Sequence, residues 1–251
     1  MTKEVIGRIA DAGVEKDRMV REEPTHYLCR AALAGVFIFI GTLVSLLCFG
    51  WFLSDPPVAR LLASFVFSAA LILCVLLDGE LFTGCNMVLS VTILSKRARL
   101  PAALRVWGLA YVGNFVGILL FSVLTVVSGA SHDVLVAALT SWVPAKLTSP
   151  WYILLVRGML CNFLVCLGVY GGFRLRSEGA KALVVLLIIV PFVLCGFEHS
   201  IANMAYFTLT ALLVPGADLL AMGHNLLFVT LGNLLGGALL LGWPLWRSAE
   251  R

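Results

Sequence analysis

Charge is what this chain lacks most. Only 13% of its 251 residues are Asp, Glu, Lys or Arg, against roughly a quarter in a soluble domain. Hydrophobic residues make up 61%, and mean hydropathy is +1.00. So little polar surface leaves nothing from which to build a separate soluble domain, and the chain reads as an integral membrane protein embedded over nearly its whole length. The net charge is only +4, and no basic patch carries interleaved aromatics, so nucleic acid is not implied as a partner. The seven cysteines (Cys29, Cys48, Cys74, Cys85, Cys161, Cys166 and Cys195) are odd in number, lie in or beside apolar runs and show no metal-ligand spacing. They form no disulfide framework and read as small core hydrophobes. A nucleophile elbow, a phosphate-cradling glycine loop and HExxH are also missing, so neither an enzyme nor a cofactor is implied.

What the chain has in abundance is long apolar runs. A spanning helix needs about 20 apolar residues. Candidate crossings run from about Ala31 to Leu53, Val58 to Ser95, Val106 to Ser128, Trp151 to Phe173, Ala182 to Leu213 and Leu219 to Trp246, with a polar loop holding His132, Asp133 and Lys146 between the third and fourth. The second and fifth are too long for one ordinary crossing. Each holds a polar stretch, Asp78 to Met87 and Cys195 to Met204, and reads as a broken helix. Irregular backbone at membrane depth is tolerated only where protein buries it or a cavity takes it. Pro191 is expected to kink the fifth crossing just before its break.

The halves repeat. Gly113-Asn114-Phe115-Val116-Gly117 in the third crossing matches Gly232-Asn233-Leu234-Leu235-Gly236 in the sixth. Arg30 and Gly41 match Arg157 and Gly168. Overlaying the breaks sets Gly79 on Gly196, Thr83 on Ser200 and Asn86 on Asn203. Repeat one covers about 30–129 and repeat two about 150–246, within one membrane domain over 25–247. Three crossings per repeat is odd, so the halves are inverted, and inverted repeats meet near the midplane, where pathways are built. The repeated glycines fit close helix packing. Lys and Arg cluster before the first crossing, between the second and third, between the fourth and fifth, and at Arg247 and Arg251. That bias places both termini in the cytoplasm. Residues 1–24 are charged and mildly amphipathic, with Val5, Ile6 and Ile9 on one side and no signal-peptide core, and read as a cytosolic helix at the membrane interface.

His199 is the sharpest candidate for function. It sits at a break, beside Glu198, and an ionisable group at membrane depth is a functional hypothesis by default. Imidazole changes charge near neutral pH; burial favours its neutral form and a passing anion its charged one. Glu80 and Glu198 read as structural, tying down backbone donors or pairing with interfacial arginines, because fixed negative charge in a pore repels an anion. Asn86 and Asn203 join them as structural groups at the breaks. Thr83 and Ser200 either satisfy local backbone or donate to a permeant ion. Asn162 bridges helices or reaches His199. Lys146 is either a solvated loop charge or a cation concentrating anions at a pore mouth.

Five runs taken together resemble the formate/nitrite transporter family: GFEHSIANM (196–204), GELFTG (79–84), PAKLTSP (144–150), LCNFLVCLGVY (160–170) and GHNLLFVTLGN (223–233). The likeness covers about residues 25–245 and is strongest to the nitrite-channel branch. It implies an all-α membrane protein with an aquaporin-like fold, six crossings in two inverted three-helix repeats, and broken second and fifth helices. It implies a homopentamer with one pore per protomer in a bacterial inner membrane, among lipid. The pore would pass nitrite or formate, or hydrosulfide, acetate or lactate, often with a proton, without a cofactor or covalent chemistry. By resemblance His199 is the central pore histidine, Lys146 the outer vestibule lysine, and Thr83 the threonine of the loop that interrupts the second crossing, preceded by Leu81 and Phe82. Leu71 and Phe192 match the cytoplasmic-side constriction, Phe67 a position near the other, and Asn162 an asparagine near the histidine. A neutral-solute channel of aquaporin type shares the inverted repeat, but its paired Asn-Pro-Ala tripeptides are absent.

Overall fold

A computed structural model describes residues 3–249; Met1, Thr2, Glu250 and Arg251, the last of which entered the charge count, lie outside them. The described chain is helical throughout. Helix α1 (Lys3–Glu22) precedes the first crossing, α2 (Pro24–Trp51). The second crossing is α3 (Pro56–Leu76) followed by the short α4 (Phe82–Leu94), and the third is α5 (Leu100–Ser128). Next come α6 (His132–Trp142) and α7 (Pro144–Leu147), then the fourth crossing, α8 (Trp151–Arg174). The fifth is α9 (Glu178–Leu194) with α10 (Ser200–Leu213). The sixth is α11 (Leu219–Leu235), a π-helical stretch Gly236–Gly242, and α12 (Trp243–Ala249). Among the described residues five helices are long and apolar enough to cross a membrane in one piece; the fifth crossing is assembled from two.

Local chemistry sets the ends. Asp55, Ser177 and Asp218 cap α3, α9 and α11 by accepting from the backbone N–H of Val58, Ala180 and Ala221, which satisfies donors that a helix start leaves free. Gly129 stops α5 in the left-handed conformation, φ 68°. Pro191 lies in the last turn of α9, as expected.

The chain ends share one face, where α1 packs against α4, α5 and α12; this is the terminal face, and α6 and α7 lie at the opposite, far face. Crossings alternate in direction. Helices α3 and α4 therefore run toward the terminal face, and α9 and α10 away from it. The repeated glycines do bring backbones together: a Cβ on Gly117 would sit 2.0 Å from the Ala32 carbonyl oxygen, and one on Gly236 would sit 2.1 Å from that of Met159.

Three expectations need correction. The stretch with His132, Asp133 and Lys146 is α6 and α7, not a loop; Leu135, Ala138 and Leu139 fasten α6 to the core. Helix α1 does not present its apolar face to a membrane surface. Val5, Ile6 and Ile9 are buried in a cluster with Met87, Val88, Leu241 and Leu245. Amphipathicity states that one face is covered, and here the cover is protein. Of the cysteines, Cys74, Cys85, Cys161 and Cys166 are buried, while Cys29 and Cys195 are exposed.

Candidate functional site

Breaking a helix inside an apolar layer strands backbone donors and acceptors that no water will satisfy. Two buried asparagines take them up in mirrored fashion. Asn114 on α5 donates through Nδ2 to the carbonyls of Ala31 (2.8 Å) and Glu80 (3.0 Å), and its Oδ1 accepts from the Phe82 N–H at 2.9 Å. Asn233 on α11 donates to Gly158 (2.8 Å) and Glu198 (2.9 Å) and accepts from the Ser200 N–H at 2.8 Å. A backbone bond completes each junction: the Glu80 N–H donates to the Arg30 carbonyl and the Glu198 N–H to the Arg157 carbonyl, both at 3.3 Å.

These bonds fix the register of the repeat, and it differs by one residue from the sequence overlay. Glu80 corresponds to Glu198, Leu81 to His199 and Phe82 to Ser200. Asp78 and Gly196 are the paired left-handed positions, φ 52° and 69°; the shared glycines misled the overlay because a short-chained Asp can also take that conformation. Asn203 then answers to Cys85. Asn86 lies in the second turn of α4 with neither side-chain polar atom bonded; it does not tie the break, contrary to expectation. Its buried side chain packs where Gly237, in the π-helical stretch, leaves room, at 2.9 Å from a would-be Cβ.

Leu81 and His199 stand at the N-termini of α4 and α10, just ahead of the first helical turn. His199 Nδ1 accepts from the Ala202 N–H at 3.0 Å and thereby caps α10. Its Nε2 lies 2.9 Å from Thr83 Oγ1. With Nδ1 occupied as an acceptor, the ring proton belongs on Nε2, which donates to Thr83 and leaves the threonine hydroxyl hydrogen free to point elsewhere. The two half-helices thus meet N-terminus to N-terminus across the Thr83–His199 bond, and helix N-termini carry partial positive charge. Both residues are buried, His199 at 3% exposure and Thr83 at 0%.

A cavity approaches this junction from each face. The far-face cavity, about 250 Å³, is lined among others by Lys146, Glu198, Phe67, Phe192 and His199. The terminal-face cavity, about 390 Å³, is lined among others by Lys16, Arg30, Glu80, Leu71 and Leu81. Phe67 and Phe192 meet edge to face at 5.6 Å, and Phe192 lies 6.2 Å from the His199 ring. Phe192 therefore belongs with Phe67 on the far side of His199 and not with Leu71. The reason is chain direction: α3 ends toward the terminal face and α9 toward the far face, so late residues of the two helices lie at opposite depths.

Each break carboxylate is neutralised by a lysine from outside the crossings. Glu80 pairs with Lys16 of α1, and the Arg30 guanidinium lies 3.6 Å from it. Glu198 takes Lys146 of α7 at 2.9 Å and Asn203 at 2.7 Å, and Lys146 also donates to Asn203 Oδ1 at 3.1 Å. Asn225 closes this group, accepting from Asn203 at 2.8 Å and donating to the Lys146 carbonyl at 3.0 Å. Lys146 is thus neither a solvated loop charge nor a free cation; its side chain is 11% exposed and ion-paired.

Thr83, Phe82 and Asn162 line neither cavity; Thr83 is reached only through His199. Phe82 turns its ring toward Tyr111 of α5, 5.0 Å away edge to face. Asn162 bridges, donating to the carbonyls of Thr83 (3.1 Å) and Asn233 (2.6 Å). Sequence reasoning missed Asn114, Asn233, Asn225 and Lys16. The first two are visible as the repeated Gly-Asn pair, which marks the repeat without showing that its asparagines bond the breaks. Lys16 had no signal, because its partner lies far along the chain.

Comparison with known proteins fits this geometry. The family described as formate/nitrite transporter matches residues 3–247. The nitrite transporter NirC of Escherichia coli is 33% identical in an alignment that covers 100% of this chain and 94% of NirC. A solved FNT family ion channel superposes with TM-score 0.92 and 29% identity, covering 98% of each chain. A pentameric formate channel with formate bound superposes with TM-score 0.78 and 26% identity, covering 90% of this chain and 98% of its own.

Proposed function

This chain belongs to the formate/nitrite transporter family, and on that premise we propose that it is a membrane channel for small monovalent weak-acid anions, nitrite and formate first. Hydrosulfide and short-chain carboxylates are the secondary substrates of the same pathway. It works as a homopentamer in a bacterial inner membrane, with the terminal face cytoplasmic, and each protomer holds its own pore.

The observation that carries the reading is the Thr83–His199 bond, 2.9 Å long, between two cavities and at the meeting of two helix N-termini. An anion entering from the far face reaches a basic cavity and then the Phe67–Phe192 pair. Carrying a full charge through an apolar ring costs several kcal/mol. The neutral acid avoids most of that cost. His199 supplies no proton in the described arrangement: donating its Nε2–H would leave an imidazolate, and protonating Nδ1 would break the cap on Ala202. The anion therefore collects its proton from cavity water and crosses as the acid. Thr83 offers it a hydroxyl donor, oriented by His199, and the converging helix ends favour its partial negative charge. Beyond Leu71 and Leu81 it loses the proton in the terminal-face cavity.

The test is stopped-flow uptake of nitrite and formate into proteoliposomes over a pH series. Both fluxes should rise as pH falls, in step with the neutral-acid fraction. Protein that passes neither anion, or a flux that rises with pH, overturns the reading.

A further inference from the structure

The two halves of this protein handle their arginines differently, and the difference leaves charge on one face. Arg30 and Arg157 are counterparts, since the carbonyl of each accepts the N–H of its break glutamate. The Arg30 guanidinium is consumed: it donates to the Asp78 carbonyl at 2.7 Å and lies 3.6 Å from Glu80, which it shares with Lys16. Arg157 has no such partner. Asn203 stands where the first half has Cys85, and it shares Glu198 Oε2 with Lys146, whose charge balances the carboxylate. The Arg157 guanidinium is left with Ser149 Oγ at 3.4 Å and lines the far-face cavity. Arg60, in the first turns of α3, lines the same cavity. It lies over the Trp142 ring, 5.8 Å from its centroid, a contact that holds a cation without cancelling its charge. Among the described residues neither arginine has a carboxylate within ion-pair distance.

We propose that Arg157, assisted by Arg60, is the entry site that captures the anion at the far face, and that it prefers planar anions bearing two oxygens on one atom. Lys146 does not serve as that site because Glu198 already neutralises it. Guanidinium presents a planar fork of N–H donors that meets two coplanar oxygens at once, whereas ammonium is a point charge. Nitrite and formate carry such an oxygen pair; hydrosulfide does not. The fork is available because, among the described residues, one hydroxyl at long range is its sole hydrogen-bond partner, and Arg157 is half-buried, where charge is screened less than at the open surface.

This rests on the transport reading above and deepens it by naming the residue and the anion class. The experiment measures initial uptake of nitrite, formate and hydrosulfide into proteoliposomes against concentration, at low and high chloride. Arg157→Gln is expected to raise the half-saturating concentration of nitrite and formate roughly fivefold to tenfold, and Arg60→Gln about twofold to threefold. Maximal flux should hold within about twofold, and the salt dependence of capture should weaken. Arg157→Lys should restore the salt dependence but leave nitrite and formate weaker than wild type, with hydrosulfide unchanged, because charge returns without the fork. Half-saturation and salt dependence equal to wild type in Arg157→Gln overturn the inference, as does a fall in maximal flux alone, which assigns Arg157 a packing role. If Arg157→Gln does not fold, the exposed Arg60→Gln and the conservative Arg157→Lys decide on the same criteria. Wild-type protein that passes none of the three anions overturns the transport reading and this inference with it; wild-type flux with unaltered variants overturns this inference alone.

Discussion

At the scale of the residue, the side chain that decides most is His199, because it does two jobs with two nitrogens. Nδ1 caps α10 and Nε2 orients Thr83. The jobs can be separated. Asn is a strong helix cap, so His199→Asn should keep thermal stability near wild type while reducing nitrite flux. His199→Phe removes the cap as well and should lower stability by about 1 kcal/mol, read as a loss of several degrees in detergent. Equal flux in wild type and His199→Asn would remove Nε2 from the pathway. Thr83→Val retains shape and loses the hydroxyl; formate flux should fall about threefold to tenfold, a loss of one neutral hydrogen bond to the passing acid, with the pH profile unchanged. The importance of His199 could be read from the sequence, since it sits beside Glu198 at a helix break within an apolar run, and an ionisable group at membrane depth is a functional hypothesis by default. Its tautomer could not, because that depends on which backbone N–H the fold presents.

At the scale of the element, the broken crossings stand because side chains from other helices substitute for missing helical bonds. Asn233→Leu preserves volume but strands two buried backbone groups at the break, those of Glu198 and Ser200, and takes a second donor from the Gly158 carbonyl. At about 1–3 kcal/mol each, the variant is expected to lose most of its folded yield. Asn114→Leu should do the same, whereas Asn162→Leu, whose two acceptor carbonyls keep donors in Cys166 Sγ and the Gly236 N–H, should be milder; size-exclusion yield after membrane extraction ranks the three. Helix α1 is fastened by its own device. Burial works against the charge of Lys16, yet the adjoining Glu80 carboxylate prevails and holds the lysine pKa above its ordinary value. The stability that depends on Lys16 staying charged is therefore complete below the ordinary lysine pKa and fades as pH rises through the higher folded value. Lys16→Met leaves Glu80 buried beside Arg30 alone and should cost about 3 kcal/mol; Lys16→Met with Glu80→Gln should recover much of it in a thermal melt. The breaks themselves were legible as polar stretches in overlong apolar runs. Their register was not, since Gly79 and Gly196 look equivalent in letters while Asp78 and Gly196 are equivalent in conformation. The depth of Phe192 was likewise hidden, because residue order gives distance along a helix and not the end of the membrane toward which that helix climbs.

At the scale of the whole molecule, the crossings are apolar outside as well as inside. Val112, Val116, Leu120 and Val127 on α5 are exposed, and so are Leu220, Leu227 and Leu231 on α11. Such a girdle suits lipid and neighbouring copies. Under the pentameric proposal, part of it becomes protein contact: native mass measurement from mild detergent should give five copies, and Val116→Trp or Leu231→Trp should shift the assembly only if that face is shared. The six crossings were legible because apolar run length is a physical requirement of the bilayer. The docking of α1 and the folding of α6 were not, since both depend on surfaces formed only after the crossings have packed.

The junction at the centre is a mirror with one mismatched tile. The backbones around Leu81 and His199 superimpose in their bonding, yet one position is greasy and the other holds a hydrogen-bond donor. Had an ancestor been made of two identical halves, both positions would have borne the same side chain and traffic would have met the same gatepost from either direction. Here the imidazole hangs from the helix that opens toward the far face, so the two ways through are unlike in sequence of encounter. Exchanging the two side chains, Leu81→His with His199→Leu, conserves composition while turning that order around.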